Sequence, residues 1–340
     1  MAWRTGRHTA IAPAMIDPFI LVLATGGTIA GMAGSATRRD YRPGQIDIDE
    51  FLHGARGLGL PVEYRGEQLA SIDSVNIGPP LWRDLHGRTQ AALDDPACQG
   101  VIITHGTDTA EETAFLLDLT LPAGKPVLLV GAMRPADAVG SDGLRNFANA
   151  VQAVVDADAG GRGVLLVMGD QVLGARDARK ARTNGSGAFV GFPRGAAALA
   201  NPSSVDWLQP AWRRGEAARF AFPAQFPMVG ILPAYAGQDG ADVVRLVEAG
   251  AKGIVLAGAG AGNASTAVRR ELAAASRAGV AVVRASRVDE GLVDREPEDD
   301  ASGFLAARAL GPAKARILLQ VLLANGITDR AEMQAAFNRR

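Results

Sequence analysis

Thr28 follows Gly26 and Gly27 at the end of an apolar run, Pro18 to Thr28 (PFILVLATGGT). Thr107 stands beside Asp108 at the end of a second run, Gln99 to Thr109 (QGVIITHGTDT). A strand that ends on such a turn delivers its hydroxyl to the carboxyl edge of a sheet, where open α/β sheets bind ligands. Two threonines arriving there suggest a nucleophile site. A threonine hydroxyl is a weak nucleophile near pH 7 and needs a base. Lys180 can be that base when burial or a carboxylate tunes its charge, so a Thr107, Asp108 and Lys180 relay is chemically sound. The plain alternatives are a turn or capping role for Thr28 and Asp108, and a solvated cation for Lys180 among Arg176, Arg179 and Arg182. Gly26 and Gly27 permit close backbone approach, so the amides of this loop can face a negative group. A phosphate would call for the P-loop spacing and its Lys-Ser or Lys-Thr, which this loop lacks; an oxyanion suits it better.

The elements that must position these residues read as βα units on a mostly parallel sheet. Strands are expected at Phe19 to Ala24, Gly100 to Thr104, Pro126 to Gly131 and Gly163 to Met168. Helices are expected at Ala110 to Leu119 and Asp142 to Ala157, the first opened by a Thr109 and Glu112 capping box. That box would set Thr107 and Asp108 just before a helix amino terminus, in a partial positive charge. From Asn201 to Pro227 the pattern breaks into prolines, arginines and short apolar fragments, as in a linker. A second series follows, with strands near Met228 to Leu232, Gly253 to Ala257 and Val280 to Arg284. Its helices fall near Ala241 to Ala249, Ser265 to Ala278, Pro312 to Asn325 and Asp329 to Asn338. The expected class is α/β in two domains: a larger amino-terminal one over 17–203, a linker over 204–227, and a smaller carboxyl-terminal one over 228–340.

The chain has 340 residues, 48% hydrophobic and 21% charged, enough to bury a full core. Its net charge is −1 with both signs interspersed, so no basic field attracts nucleic acid. Cys98 is the only cysteine, which excludes an intrachain disulfide and fits a small residue near a strand start. The four histidines, His8, His53, His86 and His105, show no metal-ligand spacing; His105 reads as a turn or core residue, and neither metal nor cofactor is expected. No stretch approaches the length of a membrane helix. Arg4, Arg7 and His8 precede a short apolar stretch that Pro13 breaks and Asp17 stops, a poor signal peptide, so a cytoplasmic location is expected.

ATGGTIAG at Ala24 to Gly31 and ITHGTDTAEETAFLLDLT at Ile103 to Thr120 resemble the two signature motifs of bacterial type L-asparaginases. VGAMRP at Val130 to Pro135, SDGLRNFANAV at Ser141 to Val151 and SRV at Ser286 to Val288 extend the resemblance. It implies an amidohydrolase that converts L-asparagine and water to L-aspartate and ammonia. Thr28 then matches the primary nucleophile and Tyr41 the tyrosine that hydrogen-bonds it from a mobile loop, Thr28 to about Gly44. Thr107, Asp108 and Lys180 match the second catalytic group, with Asp108 also binding the substrate's α-ammonium. Gly27 and Ser74 fall in the substrate site, Ser74 as receiver of the α-carboxylate, with the Thr107 amide a candidate for the oxyanion. Asn263 and Glu296 resemble residues that complete a neighbouring subunit's site, which implies a homo-oligomer, in the family a tetramer built as a dimer of dimers. Glu298 is the alternative to Glu296.

Val75 departs from the pattern, since many members carry glutamine or glutamate beside Ser74; Ala261 stands where an asparagine is common. Val75 cannot hydrogen-bond an amino group, so weaker use of glutamine than of asparagine is expected. A glutamine-preferring enzyme is the alternative within the class, as is the amidase subunit of a transfer-RNA-dependent amidotransferase, which should carry a further amino-terminal domain. A nucleotide-binding module around Gly258, Gly260 and Gly262 is the alternative outside it. Its third glycine stands one position early, and no clear ribose-binding acid follows.

Overall fold

The structure is a computed structural model and describes residues 17–35, 37 and 42–339. The first part of the chain runs β1 (Phe19–Gly26), α1 (Ile48–Arg56), β2 (Glu63–Ile72), α2 (Pro79–Asp94), β3 (Cys98–Thr104), α3 (Ala110–Thr120), β4 (Val127–Val130), α4 (Gly143–Val155) and β5 (Val164–Met168). Short strands β6 (Gln171–Gly174), β7 (Ala178–Lys180), β8 (Phe189–Gly191), β9 (Ala198–Asn201) and β10 (Ser204–Trp207) follow. The second part holds β11 (Val229–Pro233), α5 (Ala241–Glu248), β12 (Gly253–Gly258), α6 (Thr266–Arg277), β13 (Ala281–Ser286), α7 (Pro297–Ser302), β14 (Phe304–Ala306), α8 (Pro312–Ala324) and α9 (Arg330–Asn338). The chain is thus a two-domain α/β protein, with the larger sheet first.

The larger sheet has the order β10-β9-β6-β5-β4-β3-β1-β2, with β2, β1, β3, β4 and β5 parallel. Every residue of β1 is buried, as expected of a central parallel strand covered on both faces. One face carries α1 and α4, where Phe51 and Phe147 meet edge to face at 5.1 Å. The other buries Leu23, Val101 and Ile103 against Leu85 of α2 and Ala114 and Leu117 of α3. Since β1 lies between β2 and β3, the winding reverses there, and the crevice outside their carboxyl ends is the expected ligand site.

The smaller sheet, β11-β12-β13-β14, is wholly parallel. One core spans the domain boundary: Phe115, Leu116 and Leu119 of α3 pack with Ile317, Leu318 and Val321 of α8. Full burial of each such side chain is worth about 1.5–3 kcal/mol. The second domain is therefore firmly docked on the helix that follows the Thr107 turn.

All of the expected strands and helices form, within a few residues of their expected ends. Several elements had little signal in the sequence. Edge strand β2 is half polar, and its Gly66 leaves room for Ile48 and Leu52 of α1. The segment 204–227 does not begin as a linker: β10 pairs antiparallel with β9, and Arg213 is buried against Asp118 at 2.8 Å. Short polar strands and a buried arginine read locally as irregular chain, because the partners that order them are far away in sequence. The capping box also fails. Thr109 is the N-cap of α3, but its hydroxyl donates to the Ser74 carbonyl at 2.7 Å, and Glu112 instead pairs with Arg316 of α8 at 2.9 Å.

Candidate active site

Three loops converge where β2, β1 and β3 end. The register pairs Gly26 with Ile72 on one side and Ala24 with Thr104 on the other, so the turns that follow start level with one another. Gly26 and Gly27 have φ of 101° and 79°, a region L-residues avoid, which swings the chain into a 3-10 turn, Thr28–Ala30. A methyl group built on Gly27 would fall 2.4 Å from the Cα of Gly106, and one built on Gly106 would fall 2.8 Å from the Ser74 Oγ. Gly106 lies within the second motif, yet its role as the point where all three loops meet was not read from the sequence. Its signal is only that no side chain fits there.

Thr28 and Thr107 are both buried, each 6% exposed. Lys180, at the end of β7, donates to the Thr107 Oγ1 at 2.8 Å and also to the Asp108 carboxylate, which is half-exposed. The lysine is not a free cation among arginines: Arg176 and Arg179 turn to the Phe337 and Ala309 carbonyls of the second domain. Lys314 of α8 donates to the carbonyls of Arg176 and Ala178 at 2.7 and 2.5 Å, pinning the strand that carries Lys180. Burial pushes the Lys314 amine down to about 8, while the nearby Glu111 opposes that shift.

Ser74 is buried, and its hydroxyl has no hydrogen-bond partner among the described residues. A buried hydroxyl left unpaired is costly, and an incoming carboxylate would satisfy it. Val75, next to it, is 60% exposed. Tyr41 lies outside the described residues. The base of its loop is closed by paired backbone between Met32 and Arg42, and the Asp137 carboxylate accepts the N–H groups of Ala33 and Gly34 at 2.9 and 2.8 Å. His105 is a core residue: it bonds the Gly106 carbonyl at 2.6 Å and the Thr113 hydroxyl at 3.0 Å, and burial pushes it down to about 4.

Asn263 and Glu296 lie at the carboxyl edge of the second sheet, both accessible; no hydrogen bond or ion pair joins them to the threonine cluster among the described residues. Glu296 is the N-cap of α7 in a two-way capping box with Asp299, whereas Glu298 pairs with Arg269 at 3.1 Å. The glycines at 258, 260 and 262 serve a tight turn. A methyl on Gly258 would lie 2.3 Å from Gly262, and Ser265 caps α6, so the turn is filled by its own backbone. Among the described residues no group of acids, histidines and cysteines could hold a metal, and no helix is long and apolar enough to cross a membrane.

A glycine turn bearing one threonine, packed on a second turn whose threonine meets a lysine and a carboxylate, can run acyl transfer to water. Such an arrangement at the switch point of a parallel sheet fits a hydrolase. Comparison with known families gives a match to "Asparaginase, N-terminal" over residues 19–213 and to "Glutaminase/Asparaginase C-terminal domain" over residues 228–337. The chain belongs to the asparaginase family, and it is an amidohydrolase. It is 39% identical over 331 residues to L-asparaginase 2 of Escherichia coli, spanning 96% of this chain and 94% of that protein. It is 35% identical over 325 residues to the glutaminase-asparaginase of Pseudomonas fluorescens, spanning 94% of this chain and 89% of that protein. The crystal structure of "Probable Cytoplasmic L-asparaginase" from Campylobacter jejuni superposes with a TM-score of 0.90 at 35% identity, over 95% of this chain and 100% of that one.

Proposed function

We propose that the protein hydrolyses the side-chain amide of L-asparagine, with Thr28 as nucleophile and Thr107, Asp108 and Lys180 as the proton relay. The observation that carries this reading is the Lys180 contact with the Thr107 hydroxyl at 2.8 Å, on a turn packed directly against the one that bears Thr28. The Thr28 Oγ bonds to the amide carbon as its proton passes to the relay. The negative oxygen meets backbone N–H groups, the Thr107 amide among them. The carbon–nitrogen bond then breaks, the relay returns the proton to the departing nitrogen, and ammonia leaves. Water, deprotonated by the same relay, cleaves the threonyl ester to give aspartate and restore the Thr28 hydroxyl.

In this reading Asp108 also pairs with the substrate's α-ammonium, Ser74 and the Gly27 loop receive the polar end of the substrate, and Tyr41 closes over Thr28. Asn263 and Glu296 complete a neighbouring subunit's site, within a homotetramer built as a dimer of dimers. Their accessible positions on the second sheet support that role. With Val75 at the mouth, asparagine is used better than glutamine. A cytoplasmic location is kept, supported by the name of the Campylobacter jejuni relative and opposed by that of a 39% identical Haemophilus influenzae relative, "Probable L-asparaginase periplasmic". Cell fractionation decides between the two.

Ammonia release from L-asparagine, D-asparagine and L-glutamine, measured for the parent, Thr28→Ala and Thr107→Ala, tests the reading. Both variants should lose activity on L-asparagine while keeping their melting temperature; full activity in either refutes the role assigned to that threonine.

A further inference from the structure

Arg284 stands in β13, in the middle of the second sheet, in register with Leu256 of β12 and Ala306 of β14. Its side chain is 0% exposed, and a guanidinium taken fully out of water must find partners. Its two Nη groups find them on two separate segments, while Nε has none among the described residues. One nitrogen, Nη1, donates to the Ala261 carbonyl at 3.3 Å, in the turn that carries Asn263. The other, Nη2, donates to the Asp294 carbonyl at 2.9 Å and to the Asp299 carboxylate at 2.6 Å, and lies 3.6 Å from the Glu296 carboxylate.

Each segment is stiff on its own. The turn is closed by the Ala259 and Asn263 backbones, which exchange two hydrogen bonds of 2.8 Å. In the other segment, the Asp299 oxygen that receives Arg284 also accepts the Glu296 N–H at 3.0 Å, and the Glu296 side chain accepts the Asp299 N–H in return. Among the described residues, the hydrogen bonds that join the two segments are those of the guanidinium fork, and the Val293 side chain packs against Gly262 beside it. Asp299 is as fully buried as Arg284. A buried ion pair is commonly no more stabilising than an apolar pair of the same volume, so net stability is a weak account of its presence. Fixing one geometry between two loops is a stronger one.

We propose that Arg284 is a positioning residue that sets Asn263 and Glu296 relative to each other, and so shapes the surface this domain presents to a neighbouring subunit's substrate. The inference rests on the reading of Asn263 and Glu296 under Proposed function. A planar fork can serve both segments at once, whereas a lysine at this position can serve one.

The test uses the full assembled chain and steady-state ammonia release from L-asparagine. The variant Arg284→Met/Asp299→Asn removes both buried charges and keeps an oxygen to accept the Glu296 N–H, so the fold and the assembly should persist by melting and sedimentation. KM should rise roughly tenfold or more, the scale of a mis-set hydrogen bond to a charged group, with kcat changed far less. Adding Glu296→Gln to it should raise KM no further, although Glu296→Gln alone should raise it, because the two act as one unit. Arg284→Lys keeps a charge facing Asp299 and must raise KM as well; it decides the matter if the double variant does not fold. A parental KM in a folded Arg284 variant, with Asn263→Ala and Glu296→Gln both raising KM, overturns the positioning role. If Asn263→Ala and Glu296→Gln themselves keep the parental KM, the subunit-sharing reading is what fails, and this inference falls with it.

Discussion

Gly27 and Gly106 touch backbone to backbone, with space for no side chain between them: a methyl group on Gly27 would sit 2.4 Å from both the Cα and the N of Gly106. This contact turns two separate threonine turns into one site. Gly27→Ala must therefore push the turns apart while forcing alanine into φ of 79°. A displacement on the order of 1 Å can cost about 10²-fold in rate, so kcat/KM for L-asparagine should fall by about that factor, with a lowered melting temperature. A variant with parental kinetics would show that the spacing is not critical.

Lys180 reaches both the Thr107 hydroxyl and the Asp108 carboxylate from a strand of only three residues. Lys180→Met keeps the length of the side chain and removes the amine. Loss of a general base costs roughly 10²–10⁴ in rate, and kcat should drop by that amount with the fold intact. Unchanged kcat would remove Lys180 from the relay.

Val75 presents an apolar side chain beside Ser74, where it can neither donate nor accept. The parent should show a higher kcat/KM on L-asparagine than on L-glutamine, and Val75→Gln should narrow the ratio. Equal efficiency of the parent on both amides would contradict this.

Asp118 in α3 accepts the buried Arg213 guanidinium at 2.8 Å and the Val164 N–H at 3.0 Å. Removing Asp118 leaves the buried Arg213 with the half-exposed Glu216, at 2.9 Å, as its only carboxylate among the described residues and orphans the Val164 N–H, a cost of at most about 3–5 kcal/mol. Asp118→Ala should lower the melting temperature markedly, yet retain activity when assayed well below it. The measurement is differential scanning calorimetry beside the ammonia assay.

His105 is fully buried, and that burial pushes it from 6.5 to about 4, with its bond to the Gly106 carbonyl opposing the shift. Between those values the unfolded chain binds a proton that the folded one refuses, so the stabilising contribution is complete above pH 6.5 and is lost as pH falls toward 4. The loss amounts to roughly 3 kcal/mol at the acid end. His105→Gln should show a shallower fall in melting temperature over that range than the parent; identical slopes would exclude the histidine as the cause.

The two threonine turns were legible because each ends a long apolar run, and central parallel strands advertise themselves by continuous burial. Edge strand β2 and the short strands β6 to β10 were not, because their order comes from distant partners: Gly66 fits under Ile48 and Leu52, and the Arg213 segment is held by Asp118. Thr109 shows the same limit at one residue. Its sequence spells a cap, but a carbonyl from Ser74 captures the hydroxyl. Lys180 is the sharpest case. Locally it is one cation in an arginine-rich stretch; its strand is set by distant partners, β8, where Phe189 pairs with Lys180, and Lys314, which reaches across from the second domain to the carbonyl of Ala178.

The central claim is that Thr28 forms the covalent bond while the Thr107, Asp108 and Lys180 group moves protons. It is tested most directly by quenching the enzyme in acid during turnover of L-asparagine and mapping the acyl ester by peptide mass spectrometry, in the parent and in Lys180→Met. The ester should lie on the peptide that carries Thr28 and be absent from Thr28→Ala. An ester on Thr107, or steady ammonia release by Thr28→Ala, would contradict the account.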